Sequence, residues 1–146
     1  MSATSVYIDS NVFISPIVYE SPRQTAGPRR VLGMIESGEI TAFTSTLTWN
    51  EVVWVVRRLL GRPDSIQAGE KLTLFPNLRF VPASEDVIRQ AQKLVSELDI
   101  APRDAIHAAS ALGKNVDWLV SDDPDFDLVK GLRRQSPSSF KLRSEK

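Results

Sequence analysis

Leu119-Val-Ser-Asp-Asp-Pro-Asp-Phe-Asp127 (LVSDDPDFD) packs four aspartates into nine residues, directly after an apolar run. Acids on an exposed turn are ordinary. Acids at the carboxyl end of a buried strand are not, because in an open α/β sheet that is where ligands sit. The run Val116–Val120 predicts such a strand, and the rest of the chain has the matching pattern.

At the other end, Val6-Tyr7-Ile8 is a second short apolar run, and it too stops at an aspartate, Asp9. Between the two, strand and helix signals alternate. Val12–Tyr19 predicts a short helix with Pro16 near its first turn. Gln24–Ser37 predicts a second helix, weakened by Gly27 and Pro28 and stopped at Gly38. Ile40–Thr44 reads as a strand. Val52-Val53-Trp54-Val55-Val56 has strand propensity by itself, but the apolar pattern runs from Leu47 to Leu60, so length favours a helix, with Thr48 as a candidate cap and Gly61 as the stop. Pro63–Leu74 predicts a helix and Leu78–Val81 a strand. Ser84 opens a helix to Leu98, with Glu85 and Asp86 in its first turn. Pro102 opens another that ends at Gly113. Gly131–Gln135 predicts a last strand. This alternation predicts an α/β fold: a three-layer α/β/α sandwich around a central, mostly parallel sheet of four to five strands.

At 146 residues the chain is read as one domain, 1–146, with enough length for a real core. Eighteen basic and eighteen acidic residues cancel, so no global basic field announces nucleic acid. The basic residues do crowd the end: Lys130, Arg133, Arg134, Lys141, Arg143 and Lys146 stand against Glu145 alone after Asp127. The tail 138–146 is expected to fray, and a solvated tail and a phosphate-contacting one are equally compatible with its charge. The absence of cysteine excludes disulfides, thiolate zinc sites and cysteine nucleophiles. The first residues carry no basic segment followed by a long apolar core, and Val52–Val56 is far too short to span a bilayer. A cytoplasmic protein without membrane contact is expected.

Two further acids stand out. Glu51 lies on the valine- and tryptophan-rich helix; Thr48-Trp49-Asn50-Glu51 also fits the S/T-x-x-E capping box, which from spacing alone is the favoured reading. Asp104 lies in the first turn of PRDAIHAASAL, where a favourable interaction with the helix dipole explains it as well as function does. Asp9 alone is compatible with an Asx turn. Together, several carboxylates with no thiol and one histidine suit a hard cation, Mg²⁺ or Mn²⁺. Two such ions roughly 3.5–4 Å apart can activate water and steady the leaving oxygen in phosphodiester hydrolysis.

Taken in order, YIDSNVF, the Glu51 helix, PRDAIHAASAL and LVSDDPDFD resemble the signature of PIN-domain ribonucleases, and most closely the VapC-like toxins of toxin–antitoxin pairs. The resemblance runs from Val6 to about Pro137. It implies that Asp9, Glu51, Asp104 and Asp123 are the catalytic metal ligands, with Glu51 a ligand rather than only a cap. In the family's last motif Ser121, Asp123, Asp125 and Phe126 fall on the patterned positions and Asp122 on the variable one. Asn11, Ser121, Asp122 and Asp125 are therefore supporting candidates, with Asp125 second to Asp123. The resemblance further implies Mg²⁺- or Mn²⁺-dependent cleavage of RNA, a homodimer, and a small antitoxin protein as partner. His107 is expected to be a packed or partly exposed helix residue without chemistry. Trp49 and Trp54 are assigned to core or dimer packing rather than base stacking, and the Val12–Tyr19 and Val52–Leu60 faces to the partner surface. Two alternatives stay open: a PIN scaffold that binds RNA or protein without cutting, and a haloacid-dehalogenase-type phosphatase. The latter normally has a second aspartate two residues after its nucleophile, where this chain has Asn11.

Overall fold

A computed structural model of the chain describes residues 4–142. Along the chain the elements are β1 (Thr4–Ile8), α1 (Ser10–Val18), α2 (Pro22–Glu36), β2 (Ile40–Ser45), α3 (Thr46–Leu60), α4 (Arg62–Thr73), β3 (Leu78–Val81), α5 (Glu85–Glu97), α6 (Pro102–Gly113), β4 (Trp118–Val120), a single 3₁₀ turn (Pro124–Leu128) and β5 (Arg134–Gln135). The five strands form one sheet in the order β3-β2-β1-β4-β5, and every neighbouring pair is parallel.

Alternation along the strands builds the three layers. Val6, Ile8, Ile40, Ala42 and Val120 face one side and bury against α1 to α4 through Val12, Phe13, Val31, Ile35, Val52, Val56 and Leu72. Tyr7 and Leu119 face the other side and bury against Leu94 of α5, the alanines of α6 and Phe126 of the 3₁₀ turn. A strand covered on both faces must be apolar throughout, which is why β1 and β4 read as continuous hydrophobic runs. The order of connection, not the strand direction, reverses between β1 and β4: β2 and β3 lie on one side of β1, and β4 and β5 on the other. The crevice outside the carboxyl ends of β1 and β4 is thus the switch point at which α/β sheets bind ligands.

Several boundaries differ from the sequence expectation. Helix α1 begins at Ser10, because the Asp9 carboxylate accepts from Ser10 N and caps it; Pro16 then falls late in the helix, not in its first turn. The capping box at Thr48 and Glu51 does not form. Ser45 is the N-cap of α3, its Oγ accepting from Leu47 N at 2.9 Å, and Thr48 lies inside the helix. Thr48 is fully buried and bonds Thr44 Oγ1 at 2.6 Å. Since the single Thr44 hydroxyl proton goes to Ile8 O at 2.7 Å, Thr48 must be the donor of that pair. Glu51 is left with no capping task. Gly131 lies at φ +94 in the turn before β5, so the last strand is Arg134–Gln135 and shorter than expected.

The chain after β5 is described only as far as Leu142. Within it Phe140 is buried in the α1–α4 core, and residues 143–146 lie outside the described residues. No helix among the described residues is long and apolar enough to cross a membrane.

Gly27 does not weaken α2. A Cβ there would stand 2.8 Å from Ser138 N and 2.9 Å from Pro137 C, both backbone atoms, so the glycine admits the C-terminal segment against the helix. Arg30 Nη2 donates to Pro137 O at 3.2 Å beside it. Gly27→Ala should therefore destabilise the protein by about 1–3 kcal/mol from overpacking, although alanine is the better helix former by about 1 kcal/mol. Urea denaturation measures the net; a more stable variant would show that the segment moves aside freely.

Candidate functional site

The register of the sheet builds the site. Ile8 pairs with Val120, so the next residues, Asp9 and Ser121, stand side by side as the chain leaves the two strands. Ser121 Oγ donates to Asp9 Oδ2 at 2.6 Å, and Ser10 N donates to Oδ1 at 2.8 Å. Asp9 is only 6% exposed, so both its oxygens are fixed before any ligand arrives. Ser121 Oγ also accepts from Asp123 N at 3.0 Å, which folds the loop back over the strand end.

The four aspartates of the opening stretch have separate fates. Asp123 and Asp125 group with Asp104 of α6, one carboxylate oxygen from each lying within 4.8 Å of the others. Asp123 Oδ1 accepts from Asp125 N at 2.9 Å and caps the 3₁₀ turn. Asp127 turns away and makes a two-bond pair with Arg134, Nε to Oδ1 and Nη2 to Oδ2, each 3.0 Å. That pair holds the Asp127 carboxyl below its ordinary range. Arg134 Nη1 also donates to Ser121 O at 3.0 Å, so one guanidinium ties β5 to both ends of the loop. Asp122 is exposed and outside the group.

Asp104 is the third residue of α6, following Pro102 and Arg103, and is 9% exposed. Burial first, and then the charges of Asp123 and Asp9, push its carboxyl up to about 7. An acid placed only to complement a helix dipole would be held down instead. Asp9 is also raised, by burial, against the lowering effects of His107, Ser121 and Ser10 N.

Glu51 and Asp9 are joined through His107, a residue expected only to pack on its helix. His107 is fully buried; its Nε2 lies 2.7 Å from Glu51 Oε1 and 3.7 Å from Asp9 Oδ1. Its Nδ1 lies 2.7 Å from the Tyr7 hydroxyl. Burial lowers the imidazole pKa, but the bond to Glu51 and the nearby acids outweigh it, and the net shift is upward. The only sequence signal was a lone histidine three residues after Asp104. Its partners are 56 and 100 residues away in the chain.

The five acids therefore form two connected groups at one crevice. Asp104, Asp123 and Asp125 converge directly, while Asp9 and Glu51 are linked to them by charge and by His107. Asn11, in the first turn of α1, contributes a buried Oδ1 that has no hydrogen-bond partner among the described residues. All donors are oxygens. Mutual repulsion raises Asp104, and Arg103, the lysine- or arginine-type group nearest Glu51, stays 3.9 Å from it and 71% exposed. A hard divalent cation fits this donor set, since it would relieve the repulsion and use oxygens alone.

The raised Asp104 carries a stability consequence. In the unfolded chain it titrates near 4, in the fold near 7. Proton binding thus favours the fold: the stabilisation is complete below pH ~4 and is lost as the pH rises through ~7, by at most on the order of 4 kcal/mol. Asp9 and His107 are shifted in the same direction, so Asp104 is isolated by difference. With chelator present, the wild-type melting temperature should fall between pH 5 and pH 8 by more than that of Asp104→Asn. Parallel melting profiles for the two proteins would mean that Asp104 is not repelled in solution.

A PIN-domain family model matches residues 6–132. Among solved structures, VapBC2 from Rickettsia felis bound to a DNA fragment from their promoter superposes with a TM-score of 0.71 at 15% identity, covering 91% of this chain and 98% of that one. FitAcB from Neisseria gonorrhoeae gives 0.71 at 19% identity, covering 92% and 99%. VapC20 from Mycobacterium tuberculosis, a sarcin-ricin loop cleaving toxin, gives 0.68 at 16%, covering 84% and 93%. At these identities the shared property is the fold. No curated protein sequence is significantly similar to the chain. The family model takes in β1, the Glu51 helix, the start of α6 and the whole aspartate loop, and the chain belongs to the PIN-domain family.

Proposed function

We propose that the chain is a Mg²⁺- or Mn²⁺-dependent endoribonuclease and the toxin of a toxin–antitoxin pair, acting on RNA in the cytoplasm. The observation that carries the reading is the convergence of Asp104, Asp123 and Asp125 beside Asp9 at the switch point of a parallel sheet. Asp9, Glu51, Asp104 and Asp123 are the residues assigned to hold the ion, with Asp125 as an added ligand and Asn11 and Ser121 in support. Such an ion supplies a more acidic water and positive charge at the phosphate and leaving oxygens.

The chain's own groups prepare that chemistry. Ser121 and Ser10 N orient Asp9. Asp104 is poised to give up its proton when a cation arrives, because its pKa is already near neutrality. Arg103, exposed at the edge of the site, and Arg58, stacked 4.9 Å over Trp54 on the same α3 face, offer charge to an RNA backbone.

The partner reading rests on a second feature. A cleft between α1, α2 and α4 is lined by Phe13, Pro16, Ile17, Leu32, Leu72 and Phe75 and is almost wholly apolar. Ile17, Tyr19, Leu59 and Leu60 remain exposed around it and on the neighbouring α3 end. These surfaces suit a homodimer contact and a small antitoxin, and one structurally similar protein is a toxin–antitoxin complex from Klebsiella pneumoniae.

Asp9→Asn and Asp104→Asn should each lower RNA cleavage at least a hundredfold while the protein stays folded. Glu51→Gln should do the same with little change in melting temperature, since Glu51 caps nothing. Cleavage assays with purified variants test each assignment, and near-wild-type activity would remove that residue from the set. A wild type that binds metal but cuts no RNA would instead favour the scaffold reading.

Millimolar Mn²⁺ should raise the wild-type melting temperature, because an ion that binds only the fold stabilises it. The rise should shrink sharply in Asp123→Asn and persist in Asp127→Asn, whose carboxylate is engaged with Arg134. An equal metal response in wild type and Asp123→Asn would return the loop to the status of a surface turn.

A further inference from the structure

The core beneath the site contains two polar side chains that the proposed chemistry does not use. Tyr7 and His107 are both 0% exposed. Their rings meet edge to face with centroids 5.8 Å apart. Burying a hydroxyl and an imidazole costs free energy unless both are hydrogen-bonded. Phenylalanine and leucine would fill the same space without that requirement. Here every polar atom of the pair is used, and the chain of bonds ends on Glu51.

The bonding order follows from the chemistry of the end group. An ionised carboxylate can only accept, so His107 Nε2 carries the proton in the 2.7 Å bond to Glu51 Oε1. Nδ1 accepts from the Tyr7 hydroxyl when the ring is neutral and donates to it when the ring is protonated, and the 2.7 Å bond fixes the ring either way. Tyr7 thereby holds the ring, His107 holds one oxygen of Glu51, and Oε2 is left on the side of Arg103, 3.9 Å from its Nε.

We propose that Tyr7 and His107 are positioning residues that orient Glu51 for the divalent cation. This rests on the metal-site reading above. Glu51 sits on a helix on one face of the sheet, whereas the other acids come from strand ends and from α6. Without a link across the sheet edge, its long side chain has several rotamers available. The Tyr7–His107 pair supplies that link from the opposite face. Groups that orient a ligand in this way typically contribute 10- to 100-fold to metal affinity.

The test uses Mn²⁺ titrations of the full chain by calorimetry, with no RNA present, on wild type, Tyr7→Phe, His107→Leu, His107→Gln, Glu51→Gln and Tyr7→Phe/Glu51→Gln. Tyr7→Phe keeps the ring and should remain folded even if His107→Leu does not. It should weaken Mn²⁺ binding about tenfold. His107→Leu should weaken it at least as much. His107→Gln, which can place an amide N–H near the Nε2 position, should recover part of the loss. In the Glu51→Gln background Tyr7→Phe should have no further effect, because the group it positions is gone. A purely structural role predicts a lower melting temperature with unchanged Mn²⁺ affinity, and that result would overturn the proposal. Wild-type affinity in Tyr7→Phe alongside a loss in Glu51→Gln overturns the positioning role alone. Wild-type affinity in Glu51→Gln itself overturns the Glu51 metal assignment and the positioning role with it.

Discussion

The pairing of β1 with β4 is the constraint on which the rest depends. Two parallel strands, separated by more than a hundred residues of chain, meet with Ile8 opposite Val120. Side-chain direction alternates with a period of two, so a slip of one residue would exchange the Tyr7 and Leu119 face for the Val6, Ile8 and Val120 face. The two cores differ in kind. One takes β-branched and aromatic residues from four helices, and the other takes the alanine face of α6. A slipped register would place Tyr7 among the valines and remove its partner. Burial thus fixes the register, and the register places Asp9 against Ser121.

The site shows how this fold deals with charge it cannot dilute in water. Asp9 is satisfied by two donors and Asp127 by a guanidinium, and neither is left to its neighbours. Asp104 receives no such donor and rises to about 7 under the influence of burial and Asp123. His107 is the counterweight on the other side, drawn upward in pKa by Glu51 and Asp9 while packed in the core. The acids are therefore not equivalent. Asp127 is held ionised by its guanidinium partner, whereas burial raises Asp9 and holds Asp104 near the point of taking up a proton.

Much of the architecture was legible in the residues because apolar runs and their stops report burial directly. Pro102–Gly113 and Leu78–Val81 were placed at their ends, and the parallel sheet followed from alternation alone. The structure departs from the sequence expectation where a local pattern has two physical uses. Thr48 and Glu51 have capping-box spacing, but the chain passes from β2 into α3 without a loop, so Ser45 takes the cap and Thr48 ties the strand ends together. Gly27 looked like a helix weakness because the backbone that packs on it lies more than a hundred residues away. For the site, strand ends announced Asp9 and the aspartate loop. The motif register alone sets Asp123 and Asp125 apart from Asp122, and in the fold the distinction is made by Asp104 of α6 and by Arg134, which engages Asp127. His107 is packed, as its place on the helix predicts, but a single histidine on an alanine-rich helix carries no mark of partners on β1 and α3.

The Arg134 clamp has a consequence for where the working unit ends. The family pattern stops at residue 132, yet the guanidinium two residues later fastens the aspartate loop to β4 and to β5. Beyond it, Phe140 fills the core and Pro137 lies on Gly27. The last described stretch thus runs from the edge strand β5 across α2 into the core, with Arg134 at its start fastened to the loop that carries two of the acids. A change at Arg134 would therefore act on the acids through the loop it fastens, without altering any residue of the acid cluster.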